Sequence, residues 1–441
     1  MGITLPSVSV EKSDVNLIIG AENYRKRLLS LIASAKSRIY IVALYLQDDE
    51  AGREVLHALY QAKQANPGLD VKVFVDFHRA QRGLIGEAAQ LGNRARYQAL
   101  AKEYEHCIDI HGVAVKNKEF LGVLHLKGMV FDDKVFYTGA SINNIYLQYE
   151  DKYRLDRYFE FDAKALADSF CNYLLSNLVN NGFAPLLGDD CSFDKKQVKQ
   201  TSTRTKGALR RGRYQLHLDA YDSDASLQIA PLVGLGMRNN ILNKTIVDLV
   251  KNSTQQIELY TPYFNLPSVL KKHLIKALKR GVEVKVVVGD KTANDFYIRD
   301  ETKFSTIGIV PYLYESILQR FIKRYQKYID QGLLKIHLWQ DAENSYHLKG
   351  VAVDDRYHLI TGSNINPRAW NLDVENGLLV SDPNKELLEM INQERAEIYQ
   401  HARLITHYSE IDTIADYPTA PQKLMKKIKL SKIDGILKRF L

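Results

Sequence analysis

The chain carries one order of helices and strands twice, and this internal repeat constrains the fold more than any other feature. Residues 24–78 and 241–290 each read as an amphipathic helix, a strand, a second helix and a Val-rich strand. The predicted strands are Arg38–Leu46 and Val71–Phe77 in the first copy, and Gln256–Phe264 and Val282–Gly289 in the second. Strands that alternate with helices predict an α/β sandwich with a mostly parallel central sheet in each half.

The repeat divides the 441 residues into four segments. Residues 1–190 and 226–405 hold the two copies, and each is long enough to bury a core of its own. Residues 191–225 are polar and basic and lack apolar periodicity, so we interpret them as a linker or an exposed arm. Residues 406–441 form a basic C-terminal segment.

Composition narrows the class of protein. Hydrophobic residues make up 45% of the chain and charged residues 25%, which excludes a disordered or collagen-like chain. No apolar run is long enough to span a bilayer, and the N-terminus does not read as a secretory signal. Three cysteines without CxxC spacing exclude a disulfide framework and a structural zinc site, and they fit a reducing compartment. The net charge of +8 suits a polyanionic partner: nucleic acid or ribosomes, an anionic membrane surface, or a phosphate-bearing substrate.

Each half also contains the polar motif His-x-Lys-x4-Asp. Its residues are His125, Lys127 and Asp132 in the first half, and His347, Lys349 and Asp354 in the second. Further polar residues follow each motif: Ser141 and Asn143 in the first half, and Ser363, Asn364 and Asn366 in the second. One isolated match would be explained best by a hydrogen-bonded core histidine. Two copies at equivalent positions of a repeat favour an active site.

The spacing of the motif suggests its chemistry. Residues i and i+2 of a strand face the same way, so each His and Lys should point into one site. A neutral imidazole is a nucleophile and a proton carrier near neutral pH, and a lysine supplies positive charge to phosphate oxygens. A second imidazole would protonate the leaving group and then deprotonate an incoming alcohol. Asp132 and Asp354 do not share that strand face, so we assign them a structural role in fixing a turn or backbone amides.

The duplicated motif resembles the signature of the phospholipase D superfamily. The strings PLVGLG and GDKTANDFYI further resemble its Gram-negative family of CDP-diacylglycerol–serine O-phosphatidyltransferases. The resemblance implies two pseudo-twofold-related α/β domains that need no metal or other cofactor. It implies that CDP-diacylglycerol and L-serine give phosphatidylserine and CMP through a phosphatidyl-histidine. It implies His125 as nucleophile and His347 as general acid and then base, with the reverse assignment left open by the near symmetry of the halves. Lys127, Lys349, Asn143 and Asn366 would hold the phosphoryl oxygens.

The same resemblance implies a carboxylate downstream of each histidine that orients the imidazole of the opposite half. The best matches are Asp156, 31 residues after His125, and Glu375, 28 residues after His347. A surface charge is the alternative interpretation of Asp156. The diphosphate and nucleotide could contact two loops that follow Val-rich strands, with solvated loops as the alternative. Their candidate residues are His78, Arg79 and Arg82 in the first half, and Lys291 and Asn294 in the second.

The C-terminal segment predicts peripheral binding to the inner face of the cell membrane from the cytoplasm. Its basic residues are Lys423, Lys426, Lys427, Lys429, Lys432, Lys438 and Arg439. One apolar face combines Leu430, Ile433, Ile436, Leu437, Phe440 and Leu441. Leu424, Met425 and Ile428 fall out of phase with that face, so we expect two short pieces. Residues 312–329, where aromatic and basic residues interleave, are a second candidate, with a buried crossover helix as the alternative.

Other functions remain open from the sequence alone. A cardiolipin-synthase-like transferase, a phospholipase D and a nuclease would all use the same duplicated motif. A binding module for nucleic acid or ribosomes with degenerate sites would suit the basic charge, but the intact motifs argue against it.

Overall fold

Two large mixed sheets organise the chain. The computed structural model describes residues 5–81, 92–116, 118, 121–188, 195–216 and 227–431, and within these it forms one sheet of seven strands and one of nine. None of the helices in these ranges is long and apolar enough to cross a membrane. The predicted α/β class with two related halves is confirmed.

The smaller sheet belongs to the first half. Its strands are β2 (Val15–Ile18), β3 (Arg38–Val42), β4 (Asp70–Asp76), β5 (Asp109–Val113), β6 (Gly128–Phe131), β7 (Lys134–Thr138) and β9 (Tyr158–Asp162). They lie in the order β2-β9-β7-β6-β3-β4-β5. The helices of this half are α1 (Ala21–Ser34), α2 (Glu50–Ala65), α3 (Phe77–Ala80), α4 (Asn93–Glu103) and α5 (Lys164–Leu174), which continues as a π-helical turn over Leu175–Val179.

The larger sheet belongs mainly to the second half. Its strands are β1 (Val8–Val10), β10 (Leu227–Leu235), β11 (Gln256–Thr261), β12 (Glu283–Gly289), β13 (Leu334–Trp339), β15 (Gly350–Val353), β16 (Tyr357–Thr361), β17 (Val374–Ser381) and β18 (Ala402–Ile405). Their order is β1-β10-β17-β16-β15-β11-β12-β13-β18. The helices are α7 (Ile241–Asn252), α8 (Ser268–Lys279), α9 (Val310–Asp330), α10 (Pro367–Asn371), α11 (Leu388–Tyr399) and α12 (Thr419–Leu430). Short 3-10 turns cover Lys12–Asp14, Lys291–Ala293, Glu301–Lys303, Thr306–Ile309 and Tyr408–Glu410.

The prediction of mostly parallel sheets is wrong. Among the described strands, the parallel pairs within the two sheets are β3–β4 and β4–β5 in one, and β11–β12 and β12–β13 in the other. The remaining pairs are antiparallel, and two of them, β6–β7 and β15–β16, are hairpins whose first strand directly follows a His-x-Lys segment. A tight hairpin permits only antiparallel pairing, whereas the βαβ units detected by the repeat are parallel.

The predicted linker is also corrected. Residues Lys195–Arg211 form a helix, α6, rather than an exposed arm. Ser202, Thr205 and Leu209 of this helix are buried, and Leu209 joins the apolar core beneath the first sheet. This face of α6 is buried because small polar residues and one leucine can pack against the core, although they produce no apolar periodicity in the sequence. Residues 191–194 and 217–225 of the predicted linker lie outside the described residues.

The two halves share more than a boundary. Strand β1 pairs antiparallel with β10, so the N-terminal strand lies in the sheet of the second half rather than in the first domain as we expected. A short parallel pair between β8 (Arg154–Leu155) and β14 (Ser345–Tyr346) joins the halves again. One apolar cluster contains residues of both, among them Phe170 and Leu378. The seam is therefore a packed interior.

Close approach at the seam requires glycine at two equivalent positions. A Cβ atom at Gly362 would lie 2.6 Å from Cγ of Lys127. A Cβ atom at Gly139 would lie 2.7 Å from Oδ1 of Asp156 and 3.0 Å from Nζ of Lys349. Each glycine thus makes room for the lysine of the opposite half.

The motif aspartates fix the turns at the far ends of the motif hairpins. Asp132 has a φ of 52° and accepts hydrogen bonds from the backbone N–H groups of Lys36, Ser37 and Arg38. Asp354 has a φ of 57° and accepts equivalent bonds from residues 254–256. Each carboxylate anchors its hairpin to the segment that enters β3 or β11, as expected for a structural role.

We predict that Asp132→Ala lowers the free energy of unfolding by about 1–2 kcal/mol, because the backbone N–H groups of Lys36, Ser37 and Arg38 lose their charged acceptor. The measurement is thermal and chemical unfolding of the intact protein. The matched control is Asp133→Ala, since Asp133 is the exposed neighbour and its carboxylate pairs with the side chains of Arg38 and Lys164. Equal destabilisation by both changes would contradict this role.

Candidate active site

The two His-x-Lys segments lie at the seam and not within strands as expected. His125–Lys127 immediately precedes β6, and His347–Lys349 immediately precedes β15. Backbone bonds from the opposite half hold both segments in place. The N–H of His125 donates to the carbonyl of Val374 at 3.1 Å, and that of His347 donates to the carbonyl of Leu155 at 2.9 Å. The segments are fixed at the seam because each is paired with the other half.

His125 contacts a carboxylate of the second half. Its Nδ1 lies 2.8 Å from Oε2 of Glu375, and both side chains are buried. Burial, followed by the charges of Lys127 and Lys349, lowers the pKa of His125 well below its usual value. Burial and the nearby Asp373 raise the pKa of Glu375. His125 is therefore a neutral imidazole that is engaged at Nδ1, and no hydrogen bond to its Nε2 is formed by the residues that the structure describes.

His347 contacts a carboxylate of the first half. Its Nδ1 lies 3.1 Å from Oδ2 of Asp156 and 2.9 Å from the hydroxyl of Tyr146, and it also contacts the ammonium of Lys349. Burial and the charge of Lys349 lower the pKa of His347 to about 4. Asp156 is buried, which excludes the alternative of a surface charge. Although burial acts in the opposite direction, Lys349 and His347 lower the pKa of Asp156 to about 2.

The two lysines place a second pair of charges beside the imidazoles. Lys349 donates to Oδ2 of Asp156 at 3.0 Å, and Lys127 donates to the hydroxyl of Ser141 at 3.0 Å. Burial and repulsion by Lys349 lower the pKa of Lys127 to about 7. Lys349 is thus paired with Asp156, whereas Lys127 has no carboxylate within ion-pair distance among the described residues, and an anion would stabilise its charged form.

A cavity of about 950 Å³ opens onto both histidines. Of the further polar candidates, Ser141, Asn143, Asn364 and Asn366 line it. The amide of Asn143 donates to the hydroxyl of Tyr45 at 3.2 Å, and Asn366 caps α10 by accepting from the N–H of Ala369. Ser363 is buried next to Thr361 and does not line the cavity.

Only part of the first predicted nucleotide loop lines the cavity. Arg79 lines the cavity, with its guanidinium 4.6 Å from the ring centre of Tyr45. The ring of His78 lies 2.8 Å from the carbonyl of Lys116 and does not line the cavity. Arg82 lies outside the described residues.

The structure does not bring Lys291 and Asn294 into this cavity. Lys291 forms ion pairs with Glu315, at 3.0 Å, and with Asp412. Asn294 accepts from the N–H of Phe296 at 2.9 Å. Both residues line a separate cavity of about 20 Å³, because the loop after β12 turns its first residues inward. The residues that follow do line the large cavity: Asp295, Phe296, Tyr297 and Ile298.

Sequence reasoning missed two ion pairs in the cavity. Arg154 pairs with Asp295 at 2.9 Å, and Arg368 pairs with Asp373 at 3.3 Å. One signal was available, because Arg154 and Asp373 each precede an orienting carboxylate by two residues. Within the described residues, no group of three or more His, Cys, Asp or Glu side chains forms a metal-binding cluster.

Comparisons with known proteins show which family this chain resembles. A family model described as "Cardiolipin synthase, PLD-like domain" matches residues 28–153 and 246–399. CDP-diacylglycerol–serine O-phosphatidyltransferase PssA of Escherichia coli K12 is 43% identical over 438 residues, covering 99% of this chain and 96% of its own. The enzyme of the same name from Haemophilus influenzae is 42% identical over 441 residues, covering 99% and 97%. The crystal structure of phosphatidylserine synthase from Haemophilus influenzae Rd KW20 matches with a TM-score of 0.95 at 41% identity, over 99% of this chain and 97% of that one.

We predict that an anion binds this site with an affinity that falls as the pH rises above about 7. Sulfate suits the measurement because its own charge is constant over this range. Binding favours protonated Lys127, so affinity is highest below the pKa of the free group and declines up to tenfold per pH unit above it. Isothermal titration calorimetry in two buffers should show proton uptake near pH 8.

Two variants distinguish sulfate binding at this site from non-specific binding caused by the net positive charge of the protein. Lys127→Met should abolish both the pH dependence and the proton uptake. Lys134→Gln, a change at a lysine paired with Asp162 away from the cavity, should leave both in place. Sulfate binding that is independent of pH between 6 and 9 would overturn the assignment.

Proposed function

Because the chain belongs to the phospholipase-D-like family, we propose that it is a CDP-diacylglycerol–serine O-phosphatidyltransferase acting through a phosphatidyl-histidine intermediate. The family relatives of that name cover almost the whole chain. The observation that carries the proposal is the pair of histidines in one cavity, each held by a carboxylate of the opposite half. One nucleophile and one proton carrier are what such a double displacement requires.

In the first step, Nε2 of His125 attacks the phosphorus that bears the diacylglycerol group. The bond from phosphorus to the oxygen bridging the two phosphates breaks, and the electron pair leaves with CMP. His347 donates a proton to that oxygen. The negative diphosphate raises the low pKa of His347 when the substrate binds, so the proton is available at this stage. Lys127, Lys349 and the amides of Asn143 and Asn366 hold the phosphoryl oxygens as charge develops.

In the second step, the hydroxyl of serine attacks the phosphatidyl-histidine. Neutral His347 takes the hydroxyl proton as the new P–O bond forms, and the P–N bond to His125 breaks. The electron pair returns to His125, and both imidazoles recover their starting states. We assign the nucleophile to His125 because Glu375 contacts it at Nδ1, whereas the hydroxyl of Tyr146 lies 3.4 Å from Nε2 of His347, the nitrogen that would attack.

We predict that the protein incubated with CDP-diacylglycerol and no serine carries the phosphatidyl group on His125. His347→Gln should form this adduct more slowly, because the first step loses its acid, and should not pass the phosphatidyl group to serine, because the second step loses its base. His125→Gln should form no adduct and release no CMP. Peptide mass spectrometry and CMP release measure these outcomes.

Two outcomes would contradict this proposal. An adduct on His347 would reverse the roles of the histidines. CMP release by the wild-type protein that does not respond to L-serine would contradict the transferase itself. Transfer of the phosphatidyl group to a lipid that carries a glycerol headgroup would instead favour a cardiolipin-synthase-like enzyme. Transfer to water would favour a phospholipase D, and cleavage of DNA would favour a nuclease.

We further propose that the protein binds anionic membranes through α12. The helix packs Met425, with Leu424 and Ile428, on an aromatic cluster that includes Tyr263 and Tyr314 of the cavity wall. Its lysines are exposed, and Leu430 at its end is 84% exposed. This arrangement would bring a basic surface and the cavity to the same lipid layer. Residues 432–441, which supply the rest of the predicted apolar face, lie outside the described residues.

The other membrane candidate is largely explained by packing. Residues 312–329 lie within α9, and their apolar side chains, such as Leu318 and Ile322, are buried in the core of the second half. The basic residues Lys323 and Arg324 remain exposed. The buried crossover helix is therefore the better interpretation of this segment.

We predict that changing the four exposed α12 lysines to Gln weakens binding to phosphatidylglycerol-containing vesicles by roughly 10³-fold, at about 1 kcal/mol for each lysine near the surface. The changed residues are Lys423, Lys426, Lys427 and Lys429. The matched control changes the four exposed lysines of α8 to Gln: Lys271, Lys272, Lys276 and Lys279. Vesicle co-sedimentation provides the measurement, and an equal loss in both variants would contradict the role of α12.

A further inference from the structure

The cavity contains a buried ion pair beside His347 that the two transfer steps do not use. Arg154 comes from the first half, in β8, and Asp295 comes from the second half, after β12. Nη2 of Arg154 lies 2.9 Å from Oδ1 of Asp295. The side chains are 12% and 17% exposed, and both line the cavity. A pair this buried is reachable only by a ligand that enters the cavity.

The ion pair lies one aromatic side chain away from the imidazole. The guanidinium of Arg154 lies 4.7 Å from the ring centre of Tyr146, whose hydroxyl is 2.9 Å from Nδ1 of His347. On the other side, the hydroxyl of Tyr263 donates to Oδ2 of Asp295 at 2.9 Å, and its ring centre lies 6.3 Å from that of His347. A small molecule that contacts the ion pair would therefore reach His347.

The chemistry of the ion pair matches an α-amino acid. Serine carries a carboxylate and an ammonium on one carbon, with its hydroxyl on the next carbon. An arginine fork binds a carboxylate, and a carboxylate binds an ammonium. Arg154 uses Nε for Ser345 and Nη2 for Asp295, and Nη1 has no polar partner among the described residues. That nitrogen is free to receive a carboxylate while the ion pair stays intact.

The repeat supplies a second argument, because its symmetry is broken at this place. Asp373 occupies the register position of Arg154, two residues before the orienting carboxylate, so the charge there is reversed. Asp373 pairs with Arg368. The His125 end and the His347 end of the cavity are therefore not equivalent. Of these two equivalent positions, the one that carries a cation, Arg154, lies at the His347 end of the cavity, where the hydroxyl of the acceptor would be deprotonated.

We propose that Arg154 and Asp295 form the binding site for the zwitterion of serine, with Arg154 holding the carboxylate and Asp295 the ammonium. This inference rests on the proposed phosphatidyltransferase function and assigns the acceptor site within it. The pair makes His347 the base for serine rather than for water or another alcohol. It predicts that each charged group of serine is recognised by its own residue.

The experiment compares serine with two analogues that each lack one charged group. 3-Hydroxypropanoate lacks the ammonium, and ethanolamine lacks the carboxylate. Their affinities are measured as KM or as Ki against serine. Asp295→Asn should weaken serine roughly 10²-fold and leave the affinity for 3-hydroxypropanoate nearly unchanged. Arg154→Lys should weaken serine and 3-hydroxypropanoate, but not ethanolamine.

Serine-free CMP release serves as the internal reference for folding and for the first step. Serine-dependent turnover of Asp295→Asn should fall much further than its CMP release. Asp300→Asn, the same change at an exposed residue of the same loop, should alter neither quantity. Equal losses in both steps, or an unchanged ratio of serine to 3-hydroxypropanoate affinity, would overturn the assignment. Failure of the wild-type protein to respond to serine would instead contradict the proposed function.

Discussion

Each catalytic candidate depends on a hydrogen bond that crosses from one half of the molecule to the other. Glu375 of the second half contacts His125, and Asp156 of the first half contacts His347. A carboxylate at Nδ1 sets the tautomer of an imidazole and stabilises its protonated form. Because neither half supplies both members of a pair, the site exists only when the two sheets pack together. This requirement explains the glycines at the seam and the shared apolar core.

Burial determines the charge state of the site. It lowers the pKa of both histidines and both lysines, and the lysines repel one another and the imidazoles. An empty site of this kind is electrostatically costly, and an anionic phosphate relieves the cost when it binds. In the proposed mechanism, the same negative charge supports protonation of His347 at the step where the leaving group needs a proton. The negative charge of the phosphate would therefore favour both substrate binding and the protonation of His347.

The sequence predicts the two halves and the residues that meet at their seam, because equivalent residues of a repeated motif occupy equivalent positions in the two halves. It does not predict strand direction beyond the βαβ units, since the hairpins of β6–β7 and β15–β16 depend on turns fixed by Asp132 and Asp354. The insertion of β1 into the second sheet and the burial of Leu209 depend on long-range packing with no local periodicity. Lys291 is a residue for which the local sequence predicts a role in the site that its contacts do not support. Its motif is suggestive, but Glu315 and Asp412 draw its charge away from the cavity.

The central claim is that two imidazoles pass one phosphoryl group through a covalent intermediate. The stereochemical course at phosphorus tests it most directly, using CDP-diacylglycerol made chiral by a sulfur atom on the phosphorus that bears diacylglycerol. Two successive in-line displacements should give phosphatidylserine with overall retention of configuration. Inversion would mean that serine displaces CMP in a single step and would contradict the account.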